Sequence, residues 1–185
     1  MKQVEVKECT APQAMAQVDL LSGLNVKQKN SLCLLTDEMF SMIKELLKVD
    51  APDFSILIDG NRYSLRASAK ARVSEEARQE FLSMSKDGRN AANKGVKGMF
   101  GAILDLLVGD EAACALNPTW MLGSMTPDGD YAYMWTLSQY VQTASDAQAH
   151  EAWDGMEKSI IACFADDVVI GVRSGKLEMT VIKAF

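Results

Sequence analysis

The stretch that most constrains the fold is residues 85–107, which read SKDGRNAANKGVKGMFGAILDLL. At about 100° per residue, its large apolar side chains form one arc of an amphipathic helix. Gly95, Gly98 and Gly101 fall together beside that arc, with Lys94 on the same side. A glycine inside a helix costs about 1 kcal/mol relative to alanine. A row of glycines therefore predicts that something approaches this backbone closely.

Two kinds of neighbour fit that row of glycines. Lys86, Arg89 and Lys94 bring positive charge to the start of the helix, where free backbone N–H groups attract anions, so a phosphate group is one candidate. Close packing of another strand or helix explains the glycines equally well. Both alternatives stay open on the sequence.

Composition limits the class of protein. The chain has 185 residues, of which 48% are hydrophobic and 24% charged, enough for one domain with a sizeable core. Its net charge of −6 argues against nucleic acid and anionic membranes as partners. A signal-peptide pattern and an apolar run of about 18 residues are both lacking, so we expect a cytoplasmic protein.

Cysteine and histidine usage argues against zinc sites and against Cys- or His-based hydrolase chemistry. The four cysteines lie far apart and form no C-x-x-C pair, and the only histidine is His150. A zinc site, a Cys/His nucleophile and a G-x-S-x-G serine site are therefore not expected.

Strand and helix signals follow one another along the rest of the chain. Strands are predicted at residues 2–9, 54–59, 63–70, 131–141, 167–172 and 177–182, and helices at 12–21, 26–49, 74–84 and 146–164. Residues 109–127 are predicted to be a long loop. Since the strands gather into hairpins, the order predicts an α+β fold, a two-layer sandwich whose mixed, mostly antiparallel sheet carries helices on one face.

The helix predicted at 26–49 holds the main acidic candidate. One arc is apolar and is expected to face the core: Leu32, Leu35, Met39, Met42, Ile43 and Leu46. Glu38 lies just outside that arc. It is either part of a solvated helix flank or a carboxylate above a pocket.

These residues resemble the histidine-kinase-like ATPase (GHKL, or Bergerat) fold, and most closely its compact anti-sigma serine kinases and uncharacterised bacterial ATP-binding-like proteins. The long helix reads LLTDEMFSMIKELL, so Glu38 matches the family's Glu and Met42 stands where its magnesium-binding Asn belongs. The segment NKGVKGMFGAIL matches the glycine-rich phosphate segment through Gly95, Gly98 and Lys94. The family's D-x-G-x-G segment has no counterpart in SLRASAKARVS at 64–74.

The resemblance implies a single domain over 1–185, with 1–24 as an N-terminal strand-helix extension. It implies ATP as ligand, held by Lys86, Arg89, Lys94, Gly95 and Gly98, and magnesium as its companion despite the missing Asn. Glu38 would be the catalytic base of any ATPase or serine/threonine kinase activity. We expect a degenerate nucleotide- or anion-binding regulatory domain without efficient ATP hydrolysis.

The alternative is a non-catalytic interaction module that has lost nucleotide binding. Its partner would be a regulatory protein, as for an anti-sigma factor, or a second copy of the chain. The predicted edge strand at residues 2–9 and the loop around Trp120 are the candidate contact surfaces.

Overall fold

The computed structural model describes residues 2–70, 121–124, 131–139, 160–173 and 176–185. In chain order the elements are β1 (Lys2–Val6), α1 (Ala11–Asp19), α2 (Val26–Leu47), β2 (Asp53–Asp59), β3 (Arg62–Lys70), β4 (Met121–Ser124), β5 (Tyr131–Thr136), α3 (Ile160–Phe164), β6 (Asp167–Arg173) and β7 (Lys176–Ala184). The fold is α+β, and the strands pair antiparallel wherever their register is described.

Contacts divide the chain into two units. The first consists of Met1–Ala69, Ile160–Val168 and Glu178–Phe185, and the second of Lys70–Ser159 and Val169–Leu177. Residues 1–24 lie in the first unit, where β1 pairs with β2. The organisation as a single domain stays a prediction.

Two capped helices follow β1 in the first unit. The backbone N–H of Thr10 donates to Gln13 Oε1 (2.9 Å) at the start of α1. Asn25 and Gln28 bond each other reciprocally at the start of α2, the pattern of a capping box. The predicted start of α2 is confirmed, and α1 begins one residue before its predicted start. The predicted ends were about two residues too long, since α1 ends at Asp19 and α2 at Leu47.

The strands of the first unit follow the order β1-β2-β3-β7. Val4 lies opposite Ile56, and Ile56 lies opposite Leu65. The turn between β2 and β3 has φ +60° at Gly60, as the first central residue of a type II′ turn requires. The predicted hairpin is confirmed.

The core of the first unit lies between α2 and one face of these strands. The rings of Phe40 in α2 and Phe54 in β2 are 5.6 Å apart between centroids. The residues of α2 that are buried are Leu32, Leu35, Thr36, Met39, Phe40, Met42, Ile43, Leu46 and Leu47. All six predicted arc residues are among them. Thr36 is fully buried, and its hydroxyl donates to the Leu32 carbonyl (2.8 Å).

The chain end is tied to the first unit at two points. Asn61 Nδ2 donates to the Phe185 carbonyl (2.7 Å), and the Phe185 N–H donates to the Asn61 carbonyl (3.0 Å). The carboxyl group of Asp166 accepts from Lys183 Nζ (2.8 Å) and from the Ala184 N–H (2.6 Å). These bonds fix the last residues of β7 in place.

The described strands of the second unit follow the order β6-β5-β4. The strand β4 corrects the predicted loop at 109–127 over residues 121–124, where pairing with β5 holds a glycine-containing segment extended. The strand β5 ends at Thr136 instead of residue 141, because Thr136 Oγ1 accepts the Gln139 N–H (3.2 Å) and residues 137–139 turn helical.

Of the helices within the described ranges, none combines the length and apolar character needed to cross a membrane.

Candidate functional site

The candidate acidic residue lies on α2, whose buried arc fixes its rotation. Leu35 and Met42 mark one border of that arc, and both are buried. Glu38 is half-buried just beyond that border. The sequence prediction that Glu38 lies at the margin between core and surface is confirmed.

Helix α1 occupies a different flank of α2. Cys33 Sγ lies 3.9 Å from the Met15 carbonyl and 3.7 Å from Asp19 Oδ1. Lys29 Nζ donates to the Asp19 carbonyl. At about 100° per residue, Glu38 is about 140° around the helix from Cys33. Glu38 therefore faces away from α1.

The surroundings of Glu38 favour its neutral form. Its pKa is raised above the ordinary value of a glutamate, first because burial penalises the charge and then because Asp37 and Glu45 are negative. A carboxyl group in such a setting holds its proton to higher pH and can act as a general base or acid nearer neutrality. Asp37 is the adjacent residue in the sequence, so its effect on Glu38 could have been predicted from the sequence alone.

Met42 lies one turn after Glu38 on α2. It is only 7% exposed, so its thioether lies in the core. A thioether is a weak acceptor, and magnesium prefers oxygen ligands. Helix α2 therefore supplies no oxygen ligand at this position.

Metal ligands do not gather elsewhere in the described ranges. There, no group of three histidine, cysteine, aspartate or glutamate side chains is placed to hold a metal ion.

The predicted phosphate-binding residues lie outside the part of the chain that the structure describes, so their distances from Glu38 are not given by it. Lys86, Arg89, Lys94, Gly95 and Gly98 lie outside the described residues, as do Trp120 and His150. Their grouping around a phosphate stays a prediction.

Comparison with known proteins adds no relative. No protein-family model, no curated protein and no solved structure matches the chain.

Proposed function

We propose that the chain is a degenerate regulatory domain of the histidine-kinase-like ATPase type, which binds a nucleotide or another phosphate-bearing anion. The observation that carries the proposal is the position of Glu38. It is half-buried, has a raised pKa, and lies at the border of the α2 core where the family's glutamate is expected. A carboxyl group that is partly withdrawn from water and has a raised pKa is the kind of group that functional sites use.

The order of elements supports the same proposal. A long helix packs on an antiparallel hairpin, and the last strand lies beside β3. The resemblance implies a long helix and a closing pair of strands, and these described elements support it. The free thiols of Cys9 and Cys33 fit a cytoplasmic location, where thiols stay reduced.

Efficient hydrolysis is not part of the proposal. Met42 replaces the magnesium-binding Asn with a buried thioether, and β3 contains neither the Asp nor the Gly of the adenine-reading segment. Without a bound metal, a triphosphate lacks its main charge neutraliser. Lys86, Arg89, Lys94 and the amides near Gly95 and Gly98 would hold phosphate, while Glu38 positions a water molecule.

Thermal denaturation with ATP, ADP and inorganic phosphate, each with and without magnesium, tests the proposal. Ligand at a hundred times its dissociation constant stabilises the folded state by about 2.7 kcal/mol, which raises the melting temperature by several degrees. A shift with the nucleotides but not with phosphate identifies a nucleotide site. No shift with any ligand at millimolar concentration would refute the proposal.

A pair of charge reversals locates the site. Lys94→Glu should abolish the ligand-induced shift and leave the melting temperature of the free protein unchanged. Lys27→Glu changes the net charge equally at an exposed position on α2, so it should retain the shift. Loss of the shift in both variants would mean that only the overall charge matters.

The second candidate is the non-catalytic interaction module. It is favoured by one observation, the outermost position of β1, whose Lys2, Gln3 and Glu5 are exposed. Sheet edges bind partners by adding a strand. Co-purification or a mass above that of one chain, in a protein that binds no nucleotide, would favour this candidate.

A further inference from the structure

The edge strand β1 is the basis of the inference. It is the outermost strand of the order β1-β2-β3-β7, and no described strand lies on its outer side. In an antiparallel ladder every second residue directs its N–H and C=O away from the partner strand. Such an edge is a template for another strand.

Two rows of apolar side chains cross the sheet and end at this edge in residues that are only partly covered. One row runs from Leu65 through Ile56 to Val4, and another from Ala67 through Phe54 to Val6. The β2 and β3 members are buried, whereas Val4 and Val6 are half-buried. An added strand would cover the two valines and could continue the Val4 row with an apolar residue of its own.

We infer that the added strand is β1 of a second copy, paired antiparallel about a two-fold axis at Val4. This pairing puts Val4 opposite Val4 of the second copy. It also puts Lys2 opposite Val6, and Gln3 opposite Glu5, where the amide can donate to the carboxylate. The inference deepens the interaction-module candidate and needs no nucleotide.

Neighbouring registers are less favourable. A two-fold axis at Glu5 places two carboxylates directly opposite, which is destabilising. An axis at Gln3 leaves Val6 without a partner residue. Only the Val4 register pairs all five residues of β1 without opposing like charges.

The predicted dimer is weak. Five paired residues bury less than the roughly 1,200 Å² at which specific stable interfaces begin. Weak complexes have dissociation constants of about 1 µM to 1 mM. Sedimentation velocity should therefore be measured at protein concentrations across the same range, about 1 µM to 1 mM. A dimer that grows with concentration is expected, and a monomer throughout would overturn the inference.

Two matched variants test the register. Val4→Glu places two carboxylates opposite each other and should weaken dimerisation at least about tenfold. Val6→Glu makes the same change two residues away, but opposite Lys2, and should leave dimerisation unchanged or tighter. Equal effects, or none from Val4→Glu in a folded protein, would overturn the register.

Cross-linking gives an independent readout. In a background carrying Cys33→Ser, Cys114→Ser and Cys163→Ser, the variant Val4→Cys should form a disulfide-linked dimer on mild oxidation, since directly opposite residues lie within disulfide reach. Gln3→Cys alone should not, but a mixture of Gln3→Cys and Glu5→Cys chains should. A dimer without this pattern uses another surface. Thermal shifts with ATP on the same variants keep the nucleotide question separate.

Discussion

At the scale of single residues, folding disfavours the charged form of Glu38, because burial and the nearby negative charges raise its pKa. Because its folded pKa is raised, it favours the folded state while protonated, and this contribution is lost as pH rises from about 4.3 through the raised pKa. Glu38→Gln should therefore raise the free energy of unfolding at pH 7 by less than about 1 kcal/mol, since solvent screens a half-exposed group.

Thermal melts of Glu38→Gln and the wild-type protein from pH 3 to 8 check this expectation. The difference in melting temperature should vanish in acid, where Glu38 is protonated in both states. A lower melting temperature for Glu38→Gln at pH 7 would contradict it.

Asp166 responds in the opposite direction. Partial burial alone would raise its pKa, but the bonds from Lys183 and the Ala184 N–H and the charges of Lys183 and Arg62 outweigh burial and lower it. Its stabilising contribution is present above the ordinary pKa and is lost as pH falls through the lowered value. Asp166→Asn should lower the free energy of unfolding at pH 7 by less than about 1 kcal/mol, and the melting temperature should fall accordingly.

The same pH series measures Asp166→Asn. The deficit relative to the wild-type protein should shrink below about pH 4, where the carboxylate of the unfolded chain is protonated. A deficit that stays constant down to pH 2 would mean that the charge of Asp166 does not matter.

At the scale of elements, the end of α2 carries a strained residue. Lys48 adopts the left-handed conformation (φ +54°), and its N–H donates to the Lys44 carbonyl (2.9 Å). This conformation costs an L-residue about 1–2 kcal/mol, and glycine avoids that cost but loses about 0.5–1 kcal/mol in chain entropy. Lys48→Gly should therefore raise the free energy of unfolding by about 0.5–1 kcal/mol.

Urea unfolding of Lys48→Gly and Lys48→Ala separates conformation from the lost side chain. Alanine keeps the left-handed penalty, so Lys48→Ala should stay close to the wild-type value. An equal gain in both variants would assign the effect to the lysine side chain.

Local signals explain which elements could be predicted. Asn25 and Gln28 form a capping pair that indicates the start of α2, and Gly60 indicates the turn between β2 and β3. The end of α2 was placed too late because Lys48, unlike glycine, gives no sign of a left-handed conformation. Residues 136–139 read TLSQ, a capping signal, and the bond from the Gln139 N–H to Thr136 ends β5 early.

At the scale of the whole molecule, local sequence signals could not predict which distant segments pair with each other. The pairing of β5 with β6 and the position of β7 beside β3 depend on contacts across long stretches of chain. Of the candidate site, the sequence predicted the margin position of Glu38 because helical periodicity sets it. The grouping of Lys86, Arg89 and Lys94 depends on tertiary placement, which periodicity does not determine.

The contribution of β7 to the core can be measured. Met179 is 1% exposed, so Met179→Ala should lower the free energy of unfolding by about 2–5 kcal/mol. Thr180 is half-buried and adjacent on the same strand, so Thr180→Ala should cost less than about 1 kcal/mol. Similar losses in urea unfolding of the two variants would show that β7 does not complete the core.

The bonds between Asn61 and Phe185 join residues 124 positions apart, and they matter while the protein is being made. A ribosome releases β1, α1, α2 and the first hairpin long before it has read the codons for β7. Until then the nascent chain presents an apolar face without its last strand, and such surfaces aggregate. Translation speed and chaperone supply in this interval should therefore influence the yield of native protein.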